Sequence, residues 1–314
     1  MPYETLSSAS QYEALLDAHD TWLFDCDGVL WSGDEAIAGA VEAVALLRKR
    51  GKQVIFVTNN ASKSRQALLG KFRKMGIEAE TKDVFSSAYA SAVYLKHVLK
   101  LPEDRSVYVV GMEGIQEELD AVGVRWCGGT SKEDNVFLPP LDFSSLLSPE
   151  AIDPKVGAVL CGFDMHLSYI KLAKAFKHIT REGAEGEPKA GEEGGGCYFI
   201  LTNDDSTFPA KGGPWPGAGS LSSPLVFASK RKPLIVGKPH QPMLDCIEAV
   251  QPFDKSRALF VGDRLDTDIA FAQHGGIKTL MVLTGISTKA EIDAEGAEIV
   301  PDFLMQSIGD LAQL

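Results

Sequence analysis

No run of about 18 consecutive apolar residues occurs in this 314-residue chain, so no membrane-spanning helix is expected. Positive charge is also short: 31 Lys and Arg face 43 Asp and Glu, a formal net charge of −12. Nucleic-acid and anionic-membrane binding both need clustered basic residues, so neither partner is expected. The five cysteines, at 26, 127, 161, 197 and 246, are odd in number, scattered, and form no CxxC pair. That excludes a disulfide framework or a thiolate zinc site as the first reading and fits reduced thiols in a cytoplasmic protein. Residues 1–20 contain no basic segment followed by an apolar core, so no secretory signal is expected. Repeats of solenoid period are absent too.

What the chain does have is a regular α/β rhythm. Hydrophobic residues make up 45% of it, enough for a large core, and the length suggests two domains. Apolar strand-like runs at 21–26 and 53–60 alternate with helix-period segments at 40–51, 64–76 and 85–99. The pattern returns in "PLIVGK" (233–238), "ALFVGD" (258–263) and "TLMVLTG" (279–285). Continuous apolar strands between helices imply a parallel sheet covered on both faces. The fold class expected is therefore α/β, a Rossmann-like doubly wound core formed by residues 1–100 and 233–314. The intervening strands "SVYVVG", "VGAVLCGF" and "CYFILTND", with a Pro-rich stretch at 138–154, suggest an inserted α/β unit over 101–232. Within it, "REGAEGEPKAGEEGGG" (181–196) has almost no apolar content and is expected to be a flexible surface loop.

In such a sheet, ligands bind beyond the carboxyl ends of the strands. Four expected strand ends carry reactive groups: Asp25 and Asp27; Thr58, Asn59 and Asn60; Lys238; and Asp263. Asp25 and Asp27 are two apart, so in extended chain both leave the same face. Two ionised carboxylates that close repel unless a cation joins them. Mg²⁺ suits the pair, being hard, oxygen-seeking and usually shared between carboxylates, water and a phosphate. Lys238 offers a point charge to a phosphoryl oxygen. Thr58 and Asn59 offer a hydroxyl, an amide and N–H groups near a helix start, where anions are favoured.

"DCDGVLW", "TNN", "GKP" and "GDRLDTDI" resemble the four ordered motifs of the haloacid dehalogenase superfamily. "VYVVGMEGIQEEL", "CGFDMHLSYIKLAKA", "LTNDDSTFP" and "GAGSL" are similar to its 4-nitrophenylphosphatase and phosphoglycolate phosphatase branch, with a large inserted cap. The resemblance implies a Mg²⁺-dependent phosphatase acting on small phosphorylated metabolites through an aspartyl-phosphate on Asp25. Asp27 would be the general acid, then the base. Asp25, the Asp27 carbonyl and Asp263 would bind the metal, with Asp268 behind them and Asp266 a weaker candidate. Thr58, Asn59, Asn60 and Lys238 would hold the phosphoryl group, and Gly28 would let the backbone approach it. An acid at position 27 favours hydrolysis over a stable phosphoenzyme.

The segment "NDDSTFP" (203–209) would hang over the site and select substrate. Pyridoxal phosphatase relatives carry a histidine where this chain has Phe208, which favours 2-phosphoglycolate, with 4-nitrophenyl phosphate cleaved in vitro. Pyridoxal 5′-phosphate or broad sugar-phosphate hydrolysis is the alternative, and a phosphate-responsive receiver is the alternative of another class. A homodimer through the cap is also implied. Cys26 is expected to face the core, and His166 and His240 have weaker claims to touch substrate.

Overall fold

The computed structural model describes residues 3–135, 152–210 and 213–314; most of the Pro-rich stretch lies outside them. In chain order the strands are β1 (Glu4–Thr5), β2 (Thr21–Phe24), β3 (Trp31–Ser32), β4 (Glu35–Ala36), β5 (Gln53–Thr58), β6 (Val84–Ser86), β7 (Ser106–Val110) and β8 (Trp126–Gly128). They continue with β9 (Val156–Cys161), β10 (Tyr198–Leu201), β11 (Thr207–Ala210), β12 (Gly213–Pro216), β13 (Leu234–Ile235), β14 (Ala258–Gly262), β15 (Lys278–Val282) and β16 (Phe303–Met305). Contacts divide the chain into two units. One comprises Met1–Thr58, Gln66–Phe85 and Lys238–Leu314; the other comprises Asn59–Arg65 and Ser86–Gly237. No helix among the described residues is long and apolar enough to cross a membrane.

The first unit is built on a seven-stranded sheet of order β1-β16-β15-β14-β2-β5-β6. Its central pairs, β14 with β2 and β2 with β5, are parallel. Trp22, Leu23 and Phe24 on β2 are fully buried, as a strand covered on both faces requires. Phe24 and Phe56 sit side by side in register, and Phe72 from the helix Arg65–Met75 packs on Phe56. That helix ends at Gly76, whose φ of +79° takes the chain out of the last turn. The chain leaves β2 toward β5 on one side and returns as β14 on the other. The carboxyl ends of β2 and β14 therefore flank the point where strand order reverses, where an α/β sheet opens a crevice.

The second unit carries its own five-stranded parallel sheet, β13-β10-β9-β7-β8. Here one sequence expectation is corrected. "PLIVGK" does not join the first sheet: Leu234 and Ile235 pair with Ile200 and Leu201. Val236 and Gly237 continue the attachment, their N–H groups donating to Leu201 O and Thr202 O. The expected helix 85–99 is also subdivided. Val84–Ser86 forms an edge strand, Ser86 Oγ then accepts from Tyr89 N, and a helix runs only from Ser87 to Val93 before widening over Tyr94–Val98.

The glycine-rich stretch 181–196 is anchored through its backbone carbonyls. Arg105, 2% exposed, donates to the carbonyls of Lys155, Val156, Glu192, Gly194 and Gly196. Arg181 adds bonds to Gly194, Gly195 and Gly196. Such a stretch lacks the apolar surface to pack, so polar bonds to its backbone hold it instead.

Candidate active site

Asp25 is the first residue beyond β2, its N–H donating to Val261 O on β14 at 2.9 Å. Asp263 stands one residue beyond β14. The register Val261 opposite Phe24 brings the two strand ends level. Lys238 reaches the same place from the chain entering the helix Gln241–Val250. Its Nζ donates to Asp25 Oδ1 at 2.5 Å, Asp268 Oδ1 at 2.8 Å and Val57 O at 3.1 Å. Asp268 uses its other oxygen to accept from the N–H groups of Asp263 and Arg264, each at 3.1 Å. Asp268 thus fixes both the lysine and the turn that carries Asp263. Ile286 N donates to Asp263 Oδ2 at 2.7 Å.

Glycines give these carboxylates their space. Gly28 has φ +88°, and a Cβ there would run into the Asp263 carboxylate. Gly285 would meet the same group and Gly262 would meet Asp268. Three buried carboxylates, Asp25, Asp263 and Asp268, present oxygens within 4.8 Å of one another. Burial pushes Asp25 up to about 7, against the pull of Lys238, and the charge of Asp268 adds to the rise. Burial and the neighbouring carboxylates push Asp263 to about 8. Lys238 is raised: its own burial opposes this, but the Asp25 and Asp268 charges outweigh it. Three acids around one ammonium are an excess of buried negative charge, and their donor atoms are all oxygen. The set fits a hard divalent cation such as Mg²⁺.

The haloacid dehalogenase-like hydrolase family model matches residues 22–125, and a second hydrolase model of the same kind matches 235–311. The 4-nitrophenylphosphatase of Schizosaccharomyces pombe is 45% identical over 309 residues, 98% of each chain. The chain belongs to the haloacid dehalogenase-like hydrolases. Phosphoglycolate phosphatase 2 of Arabidopsis thaliana is 39% identical over 311 residues, covering 98% of this chain and 97% of its own. Among solved structures, a glycerol phosphate phosphatase of Mycobacterium tuberculosis in complex with magnesium superposes with a TM-score of 0.74. It is 29% identical and covers 95% of this chain and 78% of its own. As a haloacid dehalogenase-like hydrolase the chain is an enzyme, of the phosphatase kind.

Asp27 is half exposed; its Oδ1 accepts from Trp31 Nε1 at 2.8 Å and from Lys71 Nζ at 3.2 Å. Lys71 also lies over the Trp31 ring, 4.5 Å from its centre. Sequence reasoning missed both residues. Thr58 ends β5 and is 4% exposed. Asn59 and Asn60 follow it in the chain but group with the second unit. Asn60 Oδ1 accepts from Ser62 N and Oγ, an Asx turn that shapes the bend after β5.

Phe208 belongs to the second unit, half-buried and edge-on to Phe163 at 5.2 Å. His166 is exposed, its backbone N–H donating to Asp164, and His240 stands immediately before the helix that follows Lys238. Asp266 is outside the carboxylate cluster and pairs with Arg264. Cys26 packs in the apolar core, where burial and the flanking carboxylates push its thiol well up.

Proposed function

We propose that the chain is a Mg²⁺-dependent phosphomonoesterase working through an aspartyl-phosphate on Asp25, with 2-phosphoglycolate as its preferred substrate. The observation that carries this reading is the Lys238 bridge, which binds Asp25 Oδ1 and Asp268 together beside Asp263. Lys238 holds one Asp25 oxygen in place, so the carboxylate is oriented before substrate arrives. Asp25 attacks phosphorus, the P–O bond to the alcohol breaks, and Asp27 gives the departing oxygen a proton. Asp27 then takes a proton from water, whose oxygen attacks the phosphoenzyme and releases phosphate and free Asp25. Lys238, Thr58, Asn59 and Asn60 offset the charge spread over the phosphoryl oxygens.

Asp25, the Asp27 carbonyl and Asp263 would hold Mg²⁺, with Asp268 orienting Lys238 and the Asp263 turn. When bound, the ion supplies positive charge that neutralises the carboxylate cluster and the incoming phosphate. The substrate preference is supported by the name of one relative, phosphoglycolate phosphatase 2, and by the apolar Phe208 in the segment expected to meet substrate.

The test is phosphate release from 2-phosphoglycolate, glycerol phosphate, pyridoxal 5′-phosphate, sugar phosphates and 4-nitrophenyl phosphate, with Mg²⁺ and with EDTA. The highest kcat/KM is expected on 2-phosphoglycolate, and EDTA should abolish turnover. Asp25→Asn should lower kcat at least about a thousandfold while keeping its melting transition. Mg²⁺-dependent release surviving in that variant would remove Asp25 as nucleophile.

A further inference from the structure

Asn59 and Asp205 lie in the same unit, and a small network fixes one against the other. Asp205 Oδ2 accepts from Asn59 Nδ2 at 3.1 Å and from Asn203 Nδ2 at 2.7 Å. Asn203 Oδ1 accepts from Thr202 Oγ1 at 3.0 Å, and Ser87 Oγ donates to the Asn59 carbonyl at 2.7 Å. The other side of the Asn59 amide faces Gly237. A Cβ at Gly237 would meet Asn59 Oδ1 and Thr202 O, each at 2.6 Å, so only glycine leaves this space.

A carboxylate has acceptors only, so it dictates which end of a carboxamide turns toward it. Asp205 draws the Asn59 nitrogen to its side and leaves the oxygen over Gly237. A phosphoryl group also has acceptors only, and a flipped Asn59 would meet it oxygen to oxygen. We infer that Asp205 is a positioning residue for substrate binding: it locks the Asn59 carboxamide with its nitrogen presented. With substrate bound, the same Nδ2 group would also donate to the phosphoryl oxygen. This rests on the proposed role of Asn59 as a phosphoryl contact. It also gives the 203–208 segment a polar part in binding, besides the apolar one at Phe208.

A double-mutant cycle tests this with 4-nitrophenyl phosphate as substrate and inorganic phosphate as product inhibitor. Asp205→Ala should raise KM and the phosphate inhibition constant together, about fivefold to twentyfold, with kcat changed less than about threefold. Asp205→Asn, whose carboxamide oxygen can still accept both N–H groups, should recover most of the loss. In an Asn59→Ala background, which should itself raise KM, Asp205→Ala should add nothing. An equal Asp205→Ala effect in both backgrounds would overturn the inference while leaving Asn59 as a phosphate contact. Unchanged KM and phosphate inhibition in Asn59→Ala would instead sink the reading of Asn59 itself. A fall in KM on Asp205→Ala would also overturn the inference, making the carboxylate an obstruction. If Asp205→Ala melts early, Asp205→Ser takes its place in the cycle.

Discussion

At Gly28 two constraints coincide: a φ of +88° and a neighbouring Asp263 carboxylate where a Cβ would stand. Gly28→Ala should therefore lower kcat/KM at least about tenfold and weaken Mg²⁺ binding, since relief requires moving Asp263. A Mg²⁺ titration of activity checks both effects. Lys71 is a second test. Its ammonium holds Asp27 against Trp31, so Lys71→Met should cut kcat about fivefold to twentyfold with less change in KM. Steady-state kinetics, with Lys71→Arg as partial rescue, read this out. Asp25, Lys238, Asp263 and Asp268 were legible in the sequence because each follows an apolar run or a motif, and the structure brings all four together. Lys71 and Asp205 were not. Lys71 is one of two lysines on an amphipathic helix, and only packing of that helix selects it. Asp205 sits in an Asx-rich segment whose ordinary role is to turn the chain.

Among the elements, β2, β5, β14 and β15 were readable because strands covered on both faces leave continuous apolar runs. The same reasoning could not assign "PLIVGK" to a sheet. A two-residue strand has no pattern of its own, and its partner β10 lies over 30 residues earlier. Nor could composition reveal what holds 181–196, because Arg105 is remote in sequence. Arg105→Met would leave five carbonyls without that donor. It should cost about 3 kcal/mol or more of stability and speed cleavage by a glutamyl-specific protease between 182 and 193. Urea unfolding and timed proteolysis measure the two effects.

For the whole molecule, the buried acids set a pH dependence. Asp25 and Asp263 are raised to about 7 and about 8, so above their unfolded range near 3.8 the folded chain binds more protons than the unfolded one. Stability contributed by these groups is then lost as pH rises toward their folded values. His19 and His178, lowered chiefly by burial, act in the opposite sense at lower pH, and their effect is complete above about pH 6.5. The fall should thus be plainest between about pH 6.5 and about pH 8 in EDTA, and Mg²⁺ should raise Tm more at the upper end. Melting curves with and without Mg²⁺ check this; an equal Mg²⁺ increment at both ends would contradict it. The division of the chain has a further practical meaning. Residues 59–65 belong with 86–237, and Arg65 pairs with Glu118 at 3.1 Å while Ser64 bonds Glu117. Lys63 fits against Gly114 so closely that a Cβ there would collide with its backbone. A chimera that exchanges only the contiguous insert would strand this strip of chain among foreign neighbours. Transplanting substrate preference between relatives therefore calls for two pieces of sequence, the strip and the insert, moved together.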